Sequence, residues 1–360
     1  MTALFEELPE LAKTVPHVPL GSWPSPLEPA LVAGRELFLK REDLSAPAYA
    51  GNKIRPLEMV FGAARAAGKK EIWATGAYGS NHALAAVVHA PRAGFEGGAI
   101  LWPQPWSRTA ADNLVATASV ADHLRFAPSV ALMPPIGLFT ALTRSAWVMP
   151  PGAATPLGAI GHAGAAIELS RQLRALGAGG PRDASATPGT IVLPTGSTCT
   201  AVGLLVGTAL AGELGLMDRH ALPRIVAVRV TPWPITDRHR MARMAVATAE
   251  RLRRLGAPPI AATQADYLRR LTVTGEQLGH GYGHPTPSGW AAIAEFWHRG
   301  IRLDTTYSAK AAAWLARHAR DLGPGPVVFW VTKSALPLPP TDTARVRRLT
   351  PTAARWLAAR

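Results

Sequence analysis

At 360 residues, 48% of them hydrophobic, the chain is longer than one ordinary domain and has ample apolar side chains for a packed core. A single cysteine, Cys199, excludes an intramolecular disulfide and a multi-cysteine metal site, and no apolar run reaches the roughly 18 residues that a membrane helix needs. The formal charge of +14 raises nucleic-acid binding, but the basic residues are mostly arginines scattered over predicted helices without interleaved aromatics, so a solvated basic surface that attracts anionic substrates is expected instead.

The first twenty residues carry Glu6, Glu7, Glu10 and Lys13 and no signal-peptide core, which predicts a cytoplasmic protein. Residues 1–35 are proline-rich and read as an extended arm ahead of a strand at 36–40. Helix and strand then alternate: helix 53–67, strand 71–75, helix 81–93, strand 98–102, helix 108–120 and a short strand at 124–127. The Pro- and Gly-rich stretch 150–158 breaks the pattern, and helix 159–176 follows. Residues 177–189 are rich in Gly, Pro, Ser and Ala and read as a flexible loop. A second run comprises strand 190–194, a helix from 200, strand 224–230, long basic helices and a last strand at 326–332. Such alternation predicts an α/β fold of parallel sheets with crossover helices, and the break near 150 predicts two lobes. Ligands in such folds sit beyond the carboxyl ends of the strands.

Lys53 follows Gly51-Asn52 at one helix start, and Ser80-Asn81-His82 opens the next. Spacing alone makes Lys53 an ordinary first-turn lysine. A lysine that faces a Ser-Asn turn nevertheless suits an amino-acid site built around an aldehyde cofactor. Ser80 and Asn81 are favoured N-cap residues as well, and His82 is a secondary candidate. Thr195-Gly196-Ser197-Thr198-Cys199-Thr200 lies between a β-type run and an apolar helix. Its small residues let backbone approach a phosphate, and the helix start offers free N–H groups; a plain capped turn fits the same residues. No Walker lysine and no Gly-x-Gly-x-x-Gly accompany it, so nucleotide binding is not supported. Cys199 reads as a small buried filler rather than a nucleophile. Tyr282 and Tyr307 stand in Gly- or Ser-flanked loops, where a phenol can donate to a leaving group or align a carboxylate, although half-buried packing is the ordinary reading of each.

Lys40-Arg41-Glu42-Asp43-Leu44, Gly51-Asn52-Lys53-Ile54-Arg55 and Ser80-Asn81-His82 are followed in order by Pro150-Pro151-Gly152, Thr195-Gly196-Ser197-Thr198, Gly281-Tyr282-Gly283-His284-Pro285 and Thr306-Tyr307-Ser308-Ala309-Lys310. Together these segments resemble the pyridoxal-phosphate (PLP) family of 1-aminocyclopropane-1-carboxylate (ACC) deaminase and D-cysteine desulfhydrase, of the tryptophan-synthase-β-like fold type II. The resemblance implies a large PLP-binding domain of residues 1–52 and 160–360, a small α/β domain of residues 53–159, the cofactor between them, and a homodimer. It puts the Schiff base on Lys53, the phosphate in the 195–200 turn, Asn81 on the ring hydroxyl and Thr332 on the pyridine nitrogen. Ser80, Asn81, His82 and Tyr282 would bind a small amino acid, with Tyr282 or Tyr307 assisting departure of a leaving group.

Four positions depart from the family. Pro56 stands where a second basic residue is usual, Ser308 replaces the acidic residue of ACC deaminases, and Lys333-Ser334 replace two glycines. A hydroxyl at position 332 cannot protonate the pyridine as an acid can, which favours β-elimination over opening of a cyclopropane ring. The expected protein is therefore a PLP-dependent lyase or deaminase that yields a 2-oxo acid and ammonia. A D-cysteine-like amino acid is its first expected substrate and a cyclopropane amino acid its second. PLP-dependent β-replacement and a basic binding protein that keeps the fold without catalysis are the alternatives.

Overall fold

The computed structural model describes residues 2–176 and 187–359, so most of the loop expected at 177–189 lies outside the described residues. Four strands, β3 (Glu71–Ala77), β4 (Glu96–Trp102), β5 (His123–Phe126) and β6 (Ala146–Met149), form an all-parallel sheet in the order β5-β4-β3-β6. A six-stranded sheet takes β1 (Leu27–Val32), β2 (Arg35–Arg41), β7 (Thr190–Thr195), β8 (Arg224–Arg229), β9 (Leu271–Thr274) and β10 (Val327–Val331) in the order β1-β2-β10-β7-β8-β9. Its pairings are parallel except for the β1–β2 hairpin, and Ile191 of central β7 is level with Val328 and Ile225. Helices on both faces explain why the β7 and β10 side chains are all buried, as the unbroken apolar runs require.

The helices in chain order are α1 (Ala3–Glu7), α2 (Pro9–Thr14), α3 (Ile54–Ala66), α4 (Asn81–His89), α5 (Arg108–Val120), α6 (Met133–Thr143) and α7 (Pro156–Ala175), then α8 (Cys199–Glu213), α9 (Arg238–Arg254), α10 (Gln264–Arg270), α11 (Pro287–Trp297), α12 (Ser308–His318), α13 (Thr343–Val346) and α14 (Pro351–Ala358). None among the described residues is long and apolar enough to cross a membrane.

The N-terminal segment differs from the extended arm expected of it. Residues 3–14 form two short helices, and residues 27–32 add an edge strand. Pro9 occupies the first turn of α2, where its missing N–H costs nothing. Leu4, Phe5 and Leu11 anchor the segment in the core. Proline content alone misled the reading. α6 also carries prolines in its first turn, and the sequence alternation did not include this helix.

α7 is the central helix. Gly158 and Gly161 let α3 lie close against it: a Cβ on Gly161 would meet the Arg55 carbonyl oxygen at 2.2 Å. On the other side Gly203 and Gly207 of α8 admit α7, and a Cβ on Gly203 would lie 2.3 Å from the His162 Cβ. Pro56 stands in the first turn of α3, where its ring packs against Gly158.

A buried ion cluster ties β2, α3 and α7 together. The Arg55 guanidinium donates to both carboxylate oxygens of Glu42, at 2.7–2.9 Å, and to Glu168 at 2.8 Å. The Lys40 ammonium donates to Glu168, to the Ser25 carbonyl at 2.7 Å and to Gln172 at 2.6 Å. Trp23 covers Arg55, its ring centroid 3.7 Å from the guanidinium carbon, and donates its indole N–H to Glu58. Burial opposes ionisation of Glu168, but Arg55 and Lys40 hold its pKa below the ordinary carboxylate value. The motif residues Lys40, Glu42 and Arg55 are thus structural: two cations and two anions balance out of water. Removing one partner of such a cluster leaves a buried charge uncompensated. Glu168→Ala is expected to lower the unfolding free energy by about 3–5 kcal/mol in urea titration. A loss no larger than that of an exposed ion pair, about 1 kcal/mol or less, would show that the cluster does not hold the helices.

Candidate active site

A cavity opens at the carboxyl ends of β7 and β10, where ligands sit in folds of parallel strands. Its wall includes Lys53, Asn81, Tyr307, Thr332 and much of the 195–200 turn. These residues are far apart in sequence, and it is the two helix starts, of α3 and α8, that bring the lysine to the turn.

Lys53 is the N-cap residue of α3. Its ammonium has no hydrogen bond or ion pair among the described residues, and burial lowers its pKa below the ordinary lysine value. The backbone beside it is Gly152, at φ 66°, where a Cβ would stand 2.0 Å from Ser197 Oγ and 3.7 Å from Lys53 Nζ. Glycine is required there both for the left-handed backbone and for the close approach.

The 195–200 turn is built for an anion. None of the N–H groups of Gly196, Ser197 and Thr198 donates to a backbone carbonyl, and the first turn of α8 has no intrahelical partners for its own. Thr198 sits at φ 73°, an uncommon conformation for a β-branched residue and of the kind that clusters at ligand sites. The Thr195 hydroxyl is buried without a partner. A Cβ on Gly196 would press to 3.0 Å of the Tyr307 ring. Thr200 accepts a hydrogen bond from Asn52 Nδ2 at 2.8 Å, and its hydroxyl is 3.2 Å from His162 Nε2. Unused N–H groups, an orphaned hydroxyl and positive helix potential fit a phosphate, and the unpaired amine in the same cavity fits an aldehyde. Cys199 turns away from the cavity: its thiol donates to the Ala153 carbonyl at 3.4 Å, and burial pushes its pKa up to about 12.

Asn81 opens α4 on the opposite wall. Its amide oxygen accepts from the Tyr49 hydroxyl at 2.8 Å and from Asn113 Nδ2 at 2.7 Å, which leaves its NH₂ group for the cavity. Ser80 is the N-cap of α4, its hydroxyl accepting from the Ala83 N–H, and is not on the cavity wall. His82 also lies off the wall. Both its ring nitrogens are buried without partners, and burial, with Lys53 nearby, pushes its pKa down to about 3, so it is neutral.

Tyr307 lines the cavity, and its hydroxyl shares a 2.7 Å hydrogen bond with that of Tyr282, which stands behind it. Burial raises both phenols, Tyr282 up to about 12 and Tyr307 further, so both stay protonated. The Asp304 carboxylate shapes the Tyr307 turn by accepting the N–H groups of Thr306, Tyr307 and Ser308. Lys310 fixes the Tyr282 turn by donating to the carbonyls of Leu278 and Gly281. The Thr332 hydroxyl pairs with that of Ser308 at 3.3 Å.

Lys333 and Ser334 tie their loop to the segment ahead of Lys53. Lys333 forms an antiparallel bridge with Gly51, and the Ser334 hydroxyl accepts from the Ala50 N–H. Gly51, at φ 112°, supplies the close approach, since a Cβ there would meet the Thr332 carbonyl oxygen at 2.8 Å.

The wall also contains Asn52, Pro194 and Ala201, which the sequence reading did not single out as site residues. Asn52 was inside a motif already noted. His162, in the middle of an apolar helix, gave no signal, and only the packing of α7 on α8 brings it to Thr200.

Residues 18–333 match the pyridoxal-phosphate dependent enzyme family. The chain is 31% identical over 331 residues to nocardicin C-9' epimerase of Nocardia uniformis subsp. tsuyamanensis, a match that covers 89% of this chain and 93% of that protein. It is 27% identical over 347 residues to D-cysteine desulfhydrase of Salmonella schwarzengrund, covering 89% and 94%. In fold it is similar to the crystal structure of an ACC deaminase homologue, with a TM-score of 0.70 at 24% identity over 91% of this chain and 94% of that one. The chain belongs to the pyridoxal-phosphate dependent enzymes, and its cofactor is PLP.

Proposed function

We propose that the protein removes the α-proton of a small amino acid bound at PLP, with Lys53 as the base, and expels a β-substituent to yield a 2-oxo acid and ammonia. The observation that carries this reading is that one cavity is walled at once by the unpaired Lys53 amine and by the anion-binding 195–200 turn.

PLP, when bound, supplies an aldehyde that joins to amines and a ring that spreads negative charge away from the α-carbon. The turn and the first N–H groups of α8 bind its phosphate, with the hydroxyls of Thr195, Ser197, Thr198 and Thr200 around them. The Asn81 NH₂ group would donate to the ring hydroxyl, and Thr332 would offer the ring nitrogen a hydroxyl rather than an acid. The start of α4, at Asn81, orients the substrate carboxylate, with Ser80 behind it as the cap of the helix. Lys53, kept from water, is the more readily neutral amine and takes the α-proton on Nζ. The β-substituent leaves with the electron pair of its bond and takes a proton from the Tyr307 hydroxyl, which Tyr282 holds in place; the released 2-aminoacrylate then takes up one water and parts into 2-oxo acid and ammonia. Among the described residues no carboxylate lines the cavity, and Ser308 is committed to Thr332, which speaks against the ring-opening alternative.

Inversion at the α-carbon is the second reading, favoured by the 31% identity to a protein named as an epimerase. It shares the proton-removal step and differs in the fate of the carbon, which is reprotonated rather than losing its β-substituent. Incubating the holoprotein with D- and L-amino acids in heavy water separates the two. Elimination gives 2-oxo acid and ammonia, inversion gives an α-deuterated amino acid of the opposite hand, and neither product from any amino acid would refute both.

Three outcomes are expected. Borohydride treatment of the holoprotein fixes PLP to the Lys53 peptide by mass spectrometry, whereas Lys53→Ala carries no reducible chromophore. Tyr307→Phe lowers the rate of elimination by about 10²–10⁴, the range for a lost general acid, while α-deuteration persists. Burial lowers the folded-state pKa of Lys53 below its unfolded value, so the cofactor-free fold bears the cost of charging this amine at low pH and regains stability as pH rises towards the ordinary lysine value of 10.5. Lys53→Met removes that rise and is the more stable cofactor-free protein near neutral pH in urea titration; an unchanged pH slope would contradict the burial of the amine.

A further inference from the structure

We propose that His162, which does not touch the cavity, is a positioning residue that turns the Thr200 hydroxyl proton into the phosphate-binding turn. This rests on the reading that the 195–200 turn holds the PLP phosphate.

The argument is one of hydrogen-bond direction. Thr200 Oγ1 has one proton to give and two lone pairs to fill. Asn52 Nδ2 donates to it at 2.8 Å, filling one lone pair. The remaining protein partner is His162 Nε2 at 3.2 Å. Were the proton of the ring on Nδ1, Thr200 would spend its own hydrogen on Nε2, and a buried N–H at Nδ1 would be left without an acceptor, since Nδ1 has no partner. Orphaned buried N–H groups are rare, while an unshared lone pair is tolerated better. Burial, with Lys53 and Arg55 nearby, holds the His162 pKa well below its ordinary value, so the ring does not carry both protons. The Nε2–H form remains. It fills the second lone pair of Thr200, and the hydroxyl hydrogen is then directed to the one face left, the cavity, of which Thr200 is a wall residue. The ring is held in this role by packing, because α8 meets the His162 Cβ through the bare backbone of Gly203.

The experiment compares the affinity of cofactor-free protein for PLP and for pyridoxal, the same aldehyde without the phosphate. His162→Phe, which keeps a ring and loses the donor, is expected to weaken PLP binding about 10- to 100-fold, the range for a hydrogen bond to a charged group, and to leave pyridoxal binding unchanged. His162→Gln, whose amide can donate to Thr200, is expected to recover most of the loss. Heteronuclear NMR of the ring nitrogens of the native cofactor-free protein should show the proton on Nε2, a readout that needs no variant to fold. An Nδ1–H ring, equal losses for PLP and pyridoxal, or full PLP affinity in His162→Phe would each overturn the proposal. If the native protein binds PLP no better than pyridoxal, the phosphate reading of the turn fails, and the proposal fails with it.

Discussion

The position of Lys53 depends on an ion cluster that does not touch the ligand cavity. Arg55, two residues further on, is held by Glu42 from the end of β2 and by Glu168 from α7, and Lys40 completes the charge balance. α3 is thereby pinned at its first turn to both neighbours, and its N-cap residue has one place to be. Hydrophobic packing of Leu57, Val60 and Phe61 would hold the helix in the core but would tolerate a slide along its axis. Directional charge-assisted bonds do not, so the cluster sets register where the apolar contacts set only proximity.

The cavity follows a similar division of labour. The residues that meet a ligand are few and mostly small, and the shape around them comes from neighbours that are already saturated. Asn81 presents its NH₂ group because Tyr49 and Asn113 have taken its oxygen. Tyr307 is placed by Asp304, which accepts three backbone N–H groups, and Tyr282 by Lys310. Lys53 is left unpaired among the described residues, and an unpaired amine kept from water is the chemically active state of lysine.

Much of this was legible in the chain itself. The alternation of strand and helix gave the parallel sheets, and the ordered motifs from Lys40 to Lys310 gave the family. The missed features share a cause: they depend on contacts between distant segments. Pro9, at the start of α2, read as part of an extended arm because nothing local says that it occupies a first turn. The departure at Lys333-Ser334 could not be placed from sequence because its partner is Gly51, across the chain. Of the Lys-Arg-Glu-Asp-Leu and Gly-Asn-Lys-Ile-Arg motifs, sequence could not divide the residues that meet the ligand from those that brace the helix, since both are polar and burial alone tells them apart. His162 had no local signature at all.

The bare backbone of Gly203 extends the reach of the site to a helix face that no ligand approaches. A methyl group built there would stand 2.3 Å from the His162 Cβ and 2.5 Å from the Ala159 carbonyl oxygen. α7 would have to retreat, carrying Glu168 on its opposite side towards α3. The smallest residue in the middle of an apolar helix therefore sets a steric limit felt in two places at once, the charged brace behind α3 and the hydroxyl at the start of α8.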